Sequence, residues 1–423
     1  MSTVSIDYVV AAMKNFVRQS PSRNSQLELE FLYNLLSPAF IRMRVELIDD
    51  NGDRPTREFE PQNTQTRRGN VLPEPDFSHA VGSRVGRCLL NHVRGRSDFN
   101  HPIAFEANGI ILDSDYNIIA LPAPTFNPRF NKTALAENKY VAHRISDGTT
   151  ITLYFYDGEW VAATANGFEV DHYKWCGETT YREAYTKALA RYNVTTASLD
   201  VNYSYTIGFR DHAFHPLKED PEDTWCVRVY NTSEASEATA EFYDKFPIPR
   251  QHTTFVDNVA EFLEKAAAED AEGKIAYGYI LRSPTANNKP LSNVIIEFKL
   301  LRLIRQYVYN MPKGQQKNKL AMFNTDMNHA NRMLYAVVRT YLSKTDRDMF
   351  RRLFTQFAPE YKMIEETIDT IVNNILTHRR QKHQRKTKTP IEIVTANLYN
   401  CLSKQITIDL HAPETKDIVR DFV

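Results

Sequence analysis

Net charge is the first thing missing from this chain: Lys plus Arg and Asp plus Glu each total 52 in 423 residues. A balance of this kind leaves no bulk field for a polyanion, so any contact with nucleic acid has to come from local clusters. Paired cysteines are missing too. Cys88, Cys176, Cys226 and Cys401 stand far apart with no C-x-x-C spacing, which argues against a cysteine zinc site or a disulfide framework and suits a reducing compartment. No stretch approaches the roughly 18 to 20 consecutive apolar residues of a membrane span, and MSTVSIDYVVAAMKNF has no basic start followed by a long apolar run. These absences predict an intracellular, cytoplasmic protein without membrane contact. The N-x-S/T matches at Asn131, Asn193, Asn202 and Asn231 would matter only in a secreted chain. Glycine is scarce, at 14 residues, while 42% of the chain is hydrophobic and 25% charged. That composition predicts two or three globular domains rather than disorder.

What is present falls into two grammars. Ile6, Val9, Val10, Met13 and Val17 recur at helical spacing and predict an opening amphipathic helix. FIRMRVELIDDNGDRPTREFEPQ alternates on both sides of Asn51-Gly52, a hairpin pattern. A looser arginine-bearing segment follows, read as partly helical around CLLNHV. From Ile103 to about Lys299 strand patterns dominate: GIILDSDYNIIAL, TTITLYFYDGEWVAAT, LDVNYSYTIGF, WCVRVYN and IAYGYILRS. Tyr154, Phe155, Tyr156 and Trp160 alternate within them as β-core and edge residues. After Lys299 the periodicity becomes helical, with Leu300, Leu301, Ile304, Tyr307 and Val308 on one face and Ile364, Ile368, Ile371 and Ile375 on another. The basic run THRRQKHQRKTK precedes Thr389-Pro390-Ile391-Glu392, an N-cap candidate with proline at the first helical position and an N3 glutamate.

The order of the strand motifs carries a resemblance. ANGIILDSDYNIIALPAPTFNPRFNK, then HRISDGTTI, WVAATANGF, SYTIGFRDHAFHPL, AYGYILRS and VIIEFKLLRL resemble the nucleotidyltransferase domain of phage-type ATP-dependent RNA ligases, over about Phe105 to Tyr309. The resemblance implies an α+β chain: an antiparallel-β, ATP-grasp-like nucleotidyltransferase domain at 101–310 and a helical C-terminal domain at 311–423, preceded by a helix, hairpin and basic segment at 1–100. It makes a viral source plausible by association, in the host cytoplasm or the virion. In such enzymes a lysine amine attacks the α-phosphate of ATP, carboxylates hold the ribose and a metal, and lysines neutralise the phosphates.

Position by position, the residues that do this work are missing. The family arginine falls on Asn108, the upstream lysine on Thr125 and the nucleophilic lysine on Ile145; Asp147-Gly148 remains. The glutamate of the third motif falls on Gly208, that of the Glu-Gly motif on Tyr277, and the first closing lysine on Glu297, with Lys299 kept. Arg144 keeps its proton and cannot attack, and Lys139 lies about 20 Å away along an extended strand. The resemblance to a stripped ligase therefore predicts a catalytically inactive scaffold without cofactor, whose cleft is too apolar for a triphosphate, and which binds protein or nucleic acid as a structural part of a larger assembly. The competing enzymatic reading is an active ligase using ATP and Mg²⁺ through divergent motifs.

Three further readings stand beside these. His143, sharing a strand face with Ile145, is a candidate for a phosphohistidine route or an ordinary strand histidine. Glu28 and Glu30 in NSQLELEFLYN, with Glu58 and Glu60 after the hairpin, match the Glu-x-Glu strand of metal-dependent RNA triphosphatases, although LELEFLYNLL also reads as a helix. Arg379, Arg380, Lys382, Arg385, Lys386 and Lys388 form either a contact surface for RNA or DNA phosphates or a solvated linker.

Overall fold

The computed structural model describes residues 4–20, 22–61, 75–126, 140–176, 178–211, 223–271, 277–282, 293–298 and 301, and four helical positions between 362 and 373. The chain divides into two units, one of Met1–His215 with Glu222–Arg305 and the other of Pro216–Pro221 with Gln306–Val423. In the second unit, Lys362, Glu366, Asp369 and Asn373 are helical. Lys299, Lys139 and the basic run at 379–388 lie outside the described residues.

The first unit opens with α1 (Ile6–Gln19), whose N-cap Ser5 accepts a hydrogen bond from the Tyr8 N–H and whose Ile6, Val9 and Met13 are buried. α2 (Ser25–Leu36) follows, capped by Asn24. Both cover an antiparallel sheet of β1 (Ile41–Ile48), β2 (Thr56–Phe59), β3 (Arg84–His92), β4 (Asn108–Leu112) and β5 (Ile118–Ala120), in the order β2-β1-β3-β4-β5, with the short helix α3 (Ile103–Glu106) between β3 and β4. The expected hairpin is present, with Met43 opposite Phe59 and Glu46 opposite Thr56. The segment CLLNHV is strand rather than helix. As the sheet's central strand, β3 has neighbours on both edges and is buried on both faces, so its apolar run lacks the alternation that marks a half-exposed strand. Glu28-x-Glu30 also departs from the strand reading, since both residues belong to α2. The sheet joins strands from either side of residue 100.

Two more antiparallel sheets follow. One has the order β13-β12-β11-β7-β8, built from β7 (Thr149–Tyr156), β8 (Glu159–Ala163), β11 (Tyr203–Arg210), β12 (Asp223–Asn231) and β13 (Ser236–Glu237). Its outer face packs on α4 (Tyr181–Ala190) and α5 (Ala240–Lys245) through Tyr205, Ile207, Phe209, Leu189 and Tyr243. The short pair β9 (Lys174–Cys176) and β10 (Thr179–Thr180) leads into α4, whose first turn carries a Thr180–Glu183 capping box. The last sheet has the order β14-β6-β15-β16, from β6 (Tyr140–Arg144), β14 (Thr253–Val256), β15 (Gly278–Arg282) and β16 (Asn293–Glu297). Tyr140, Ala142, Leu281, Val294 and Ile296 point from it into a core shared with α6 (Val259–Ala271). The opposite face of this sheet carries the candidate site.

Candidate functional site

Period-2 alternation decides what that face presents: with even-numbered β6 residues in the α6 core, odd-numbered ones look the other way. Cross-strand register then groups the face into rows. Phe255, Val141, Arg282 and Asn293 form one, from β14 across β6 and β15 to β16. Thr253, His143, Ile280 and Ile295 form the next. At the far end the Ile145 N–H donates to the Gly278 carbonyl at 2.9 Å, and Gly278 stands opposite Glu297.

This last row brings together three positions that the motif comparison had placed far apart in the chain: Ile145, the Tyr277-Gly278 pair and Glu297. Tyr277 is buried, and Gly278 has φ +118°, with a Cβ at that position falling 1.9 Å from the Ile296 carbonyl oxygen. Only glycine fits there. Asp147-Gly148 carries the chain from β6 into β7 of the neighbouring sheet. There Arg210 Nε donates to the Asp147 carbonyl at 3.0 Å, and Gly148 lies against the Phe209 carbonyl and the Trp225 ring. Gly208 stands opposite Trp225, and a Cβ on it would be 2.3 Å from the indole Cε2 and Nε1. The side-chain space of the third-motif position is thus occupied by Trp225.

The other aligned positions serve structure near the opposite row. Asn108 Nδ2 donates to the Ala123 carbonyl at 3.0 Å, and the Thr125 carbonyl accepts from Asn293 Nδ2 at 2.7 Å. The chain segment before Thr125 therefore runs past the Arg282–Asn293 row.

A cavity of about 470 Å³ opens beside this face, lined among others by Val141, His143, Arg228, Arg250, Arg282 and Glu237. The apolar cleft was expected around Asn108, Thr125, Ile145, Gly208 and Tyr277, none of which lines this cavity, and its walls carry cations instead. Arg228 comes from β12 and Arg282 from β15, so two sheets each supply a guanidinium. Arg250 stacks on Tyr243 with 4.0 Å to the ring centroid and donates to Glu237 Oε1 at 3.2 Å. Arg228 donates to the Pro122 carbonyl at 3.0 Å and places Nε 3.6 Å from Glu237 Oε2. Burial first, and then the charges of Arg282 and Arg250, push the His143 imidazole down to about 3. It is neutral at physiological pH. The arginines went unnoticed in the sequence although Arg228 and Arg282 lie within two of the quoted motifs. The available signal was the interruption of an apolar strand by a cation in WCVRVYN and in YGYILRS.

The Glu-x-Glu candidates resolve into structural roles. Glu28 is 2% exposed and bonds Arg23 at 2.9 and 3.0 Å while accepting from the Tyr116 hydroxyl at 3.0 Å. Glu30 accepts from Gln26 Nε2 at 3.0 Å. Two helical residues at i and i+2 are about 200° apart around the axis and do not converge on one ion. Glu58 pairs with Arg42 and Arg44, and Glu60 with Arg96. Partial burial works against ionisation of Glu58, but the hydrogen bond from Arg44 and the charge of Arg42 hold its carboxyl below the usual range. Cys88 and Cys226 are buried free thiols, and burial pushes Cys226 up to about 12.

No protein-family model matches the chain. It is 24% identical over 394 residues to a protein named "Putative RNA-ligase" from African swine fever virus, isolate Tick/South Africa/Pretoriuskop Pr4/1996, covering 82% of each chain. It is 26% identical over 365 residues to a protein of the same name from strain Badajoz 1971 Vero-adapted, covering 76% of this chain and 78% of the relative. Among solved structures it overlaps a "Putative ATP-dependent DNA ligase from Aquifex aeolicus" with TM-score 0.36, 14% identity and coverage of 76% of this chain and 94% of the other. It overlaps an archaeal ATP-dependent RNA ligase with TM-score 0.33, 11% identity and coverage of 67% and 74%. The resemblance to RNA ligases thus extends to viral relatives along most of the chain. No helix among the described residues is long and apolar enough to cross a membrane.

Proposed function

We propose that this is an RNA ligase-like viral protein that forms no nucleotidyl-lysine adduct and works by binding, as a scaffold for nucleic acid or protein within a larger assembly. One observation carries the reading: the row where the nucleophile belongs holds Ile145, Gly278 and Glu297. Ile145 offers no amine. A phosphate brought to this row would meet the Glu297 carboxylate, and two like charges about 4 Å apart cost on the order of 4 kcal/mol at an effective dielectric near 20. ATP and Mg²⁺ do not suit these residues. Trp225, filling the space beside Gly208, supports the same reading.

The active-ligase alternative draws on the name its viral relatives carry. Incubating the purified protein with α-labelled ATP and a divalent metal, followed by denaturing electrophoresis, separates the two. The scaffold reading expects no labelled band. A band stable at neutral and alkaline pH, as a phosphoamide is, would overturn it, and its loss in His143→Ala would assign the attack to the histidine.

A further inference from the structure

Arg282 is a shielded cation with few partners among the described residues. It has no carboxylate within ion-pair distance, makes a single 3.3 Å hydrogen bond from Nη2 to the Pro124 carbonyl, and keeps Nε shielded from solvent without a partner. Asn293, its neighbour across the ladder, also has a buried unpartnered atom, Oδ1. Two of the carboxyls around the cavity are engaged by other groups. Glu237 serves Arg228 and Arg250, Glu106 accepts the Ile6 N–H at 2.8 Å, and Asp7 lies on the side formed by α1. A desolvated cation without a counter-charge is costly, and an arriving anion removes that cost.

We propose that the Arg282 end of the cleft is a binding site for a phosphate group, held by Arg282 and Arg228 from two sheets with His143 alongside. Guanidinium forks match phosphate oxygens in pairs, and grips from two directions suit a tetrahedral group. Burial and the nearby Arg228 lower Arg282 to about 10, so it stays charged at neutral pH. His143 sits beside the anion as a neutral imidazole able to donate one N–H. On the same row, at the sheet edge, Phe255 is 83% exposed. Two strand spacings of about 4.8 Å separate it from Arg282, which suits a base stacked on the ring with its phosphate directed inward. The site is displaced from the Ile145 row by four residues of β6, about 13 Å, so the phosphate is not positioned for attack from residue 145.

The shared chemistry is the tetrahedral phosphate group, carried either by free inorganic phosphate or by a nucleoside monophosphate. This inference rests on the scaffold reading above, and its test needs neither metal nor turnover, so the two fail separately. Titration calorimetry of the full chain in metal-free buffer would compare inorganic phosphate, adenosine 5′-monophosphate and adenosine up to roughly 10 mM, a weak-binding range. Both phosphates are expected to bind and adenosine is not. Equal binding of the two identifies free phosphate; about tenfold tighter binding of the nucleotide, lost in Phe255→Ala, identifies the nucleotide. Arg282→Met, with an unchanged melting temperature, should weaken both by at least about tenfold. The proposal is overturned if wild type binds neither phosphate, or binds adenosine equally well, or if folded Arg282→Met binds like wild type. Should Arg282→Met fail to fold, the wild-type comparison of phosphate with adenosine still decides.

Discussion

Gly208 on β11 and Trp225 on β12 stand opposite each other, so close that a Cβ on the glycine would lie 2.3 Å from the indole. The tryptophan therefore requires the glycine. Gly208→Ala should destabilise the fold by about 1–3 kcal/mol through overpacking, whereas the same change in a Trp225→Ala background should cost far less, because the pair shares one space. Urea unfolding of the four proteins measures the coupling. Additive costs would mean that the indole moves aside freely.

The second prediction concerns the nucleophile position. Ile145→Lys should remain unlabelled by ATP, because Glu297 stays on the same row and Trp225 still fills the space next to Gly208. Catalytic groups that act as a unit are strongly non-additive, so one restored member recovers little. Gel detection of an adenylylated Ile145→Lys protein would show that the remaining machinery is intact.

A third prediction follows from His143. Its imidazole is pushed from the ordinary 6.5 down to about 3. Below about pH 6.5 the unfolded chain takes up a proton at this residue that the folded chain refuses, so this contribution to stability is complete above that pH and falls as pH drops toward the folded value. The slope from one proton is at most ~1.4 kcal/mol per pH unit. Denaturant unfolding at several pH values should therefore show a shallower acid loss in His143→Gln than in wild type. Parallel curves would place the titration elsewhere.

The basic run is tested through salt. If four to six of Arg379, Arg380, Lys382, Arg385, Lys386 and Lys388 each neutralise a phosphate, log K against log salt should slope by roughly −3 to −5. Replacing all six by serine should flatten the slope while leaving the melting temperature unchanged. Wild-type protein that binds neither RNA nor DNA at low salt would make the run a solvated linker and favour a protein partner.

Alternation of apolar residues every second position, together with helical spacing in α1, was enough to place α1, the β1–β2 hairpin and the strands from β4 to β16 that carry the motifs, because half-buried elements write their exposed face into the sequence. β3 escaped this reading because it is buried on both faces, and α2 was ambiguous because Glu28 is drawn inward by Arg23 and Tyr116, partners 5 and 88 residues away. Motif order also picked out Ile145, the Tyr277-Gly278 pair and Glu297, and strand register brings Ile145, Gly278 and Glu297 to one row. The tertiary structure alone decided the cleft's charge. Arg228 and Arg282 are 54 residues apart and come from different sheets, and Trp225 meets Gly208 only across a ladder. A local pattern reports which face a side chain takes, whereas its partners are chosen by sheet pairing and packing between distant segments, which no window of sequence contains.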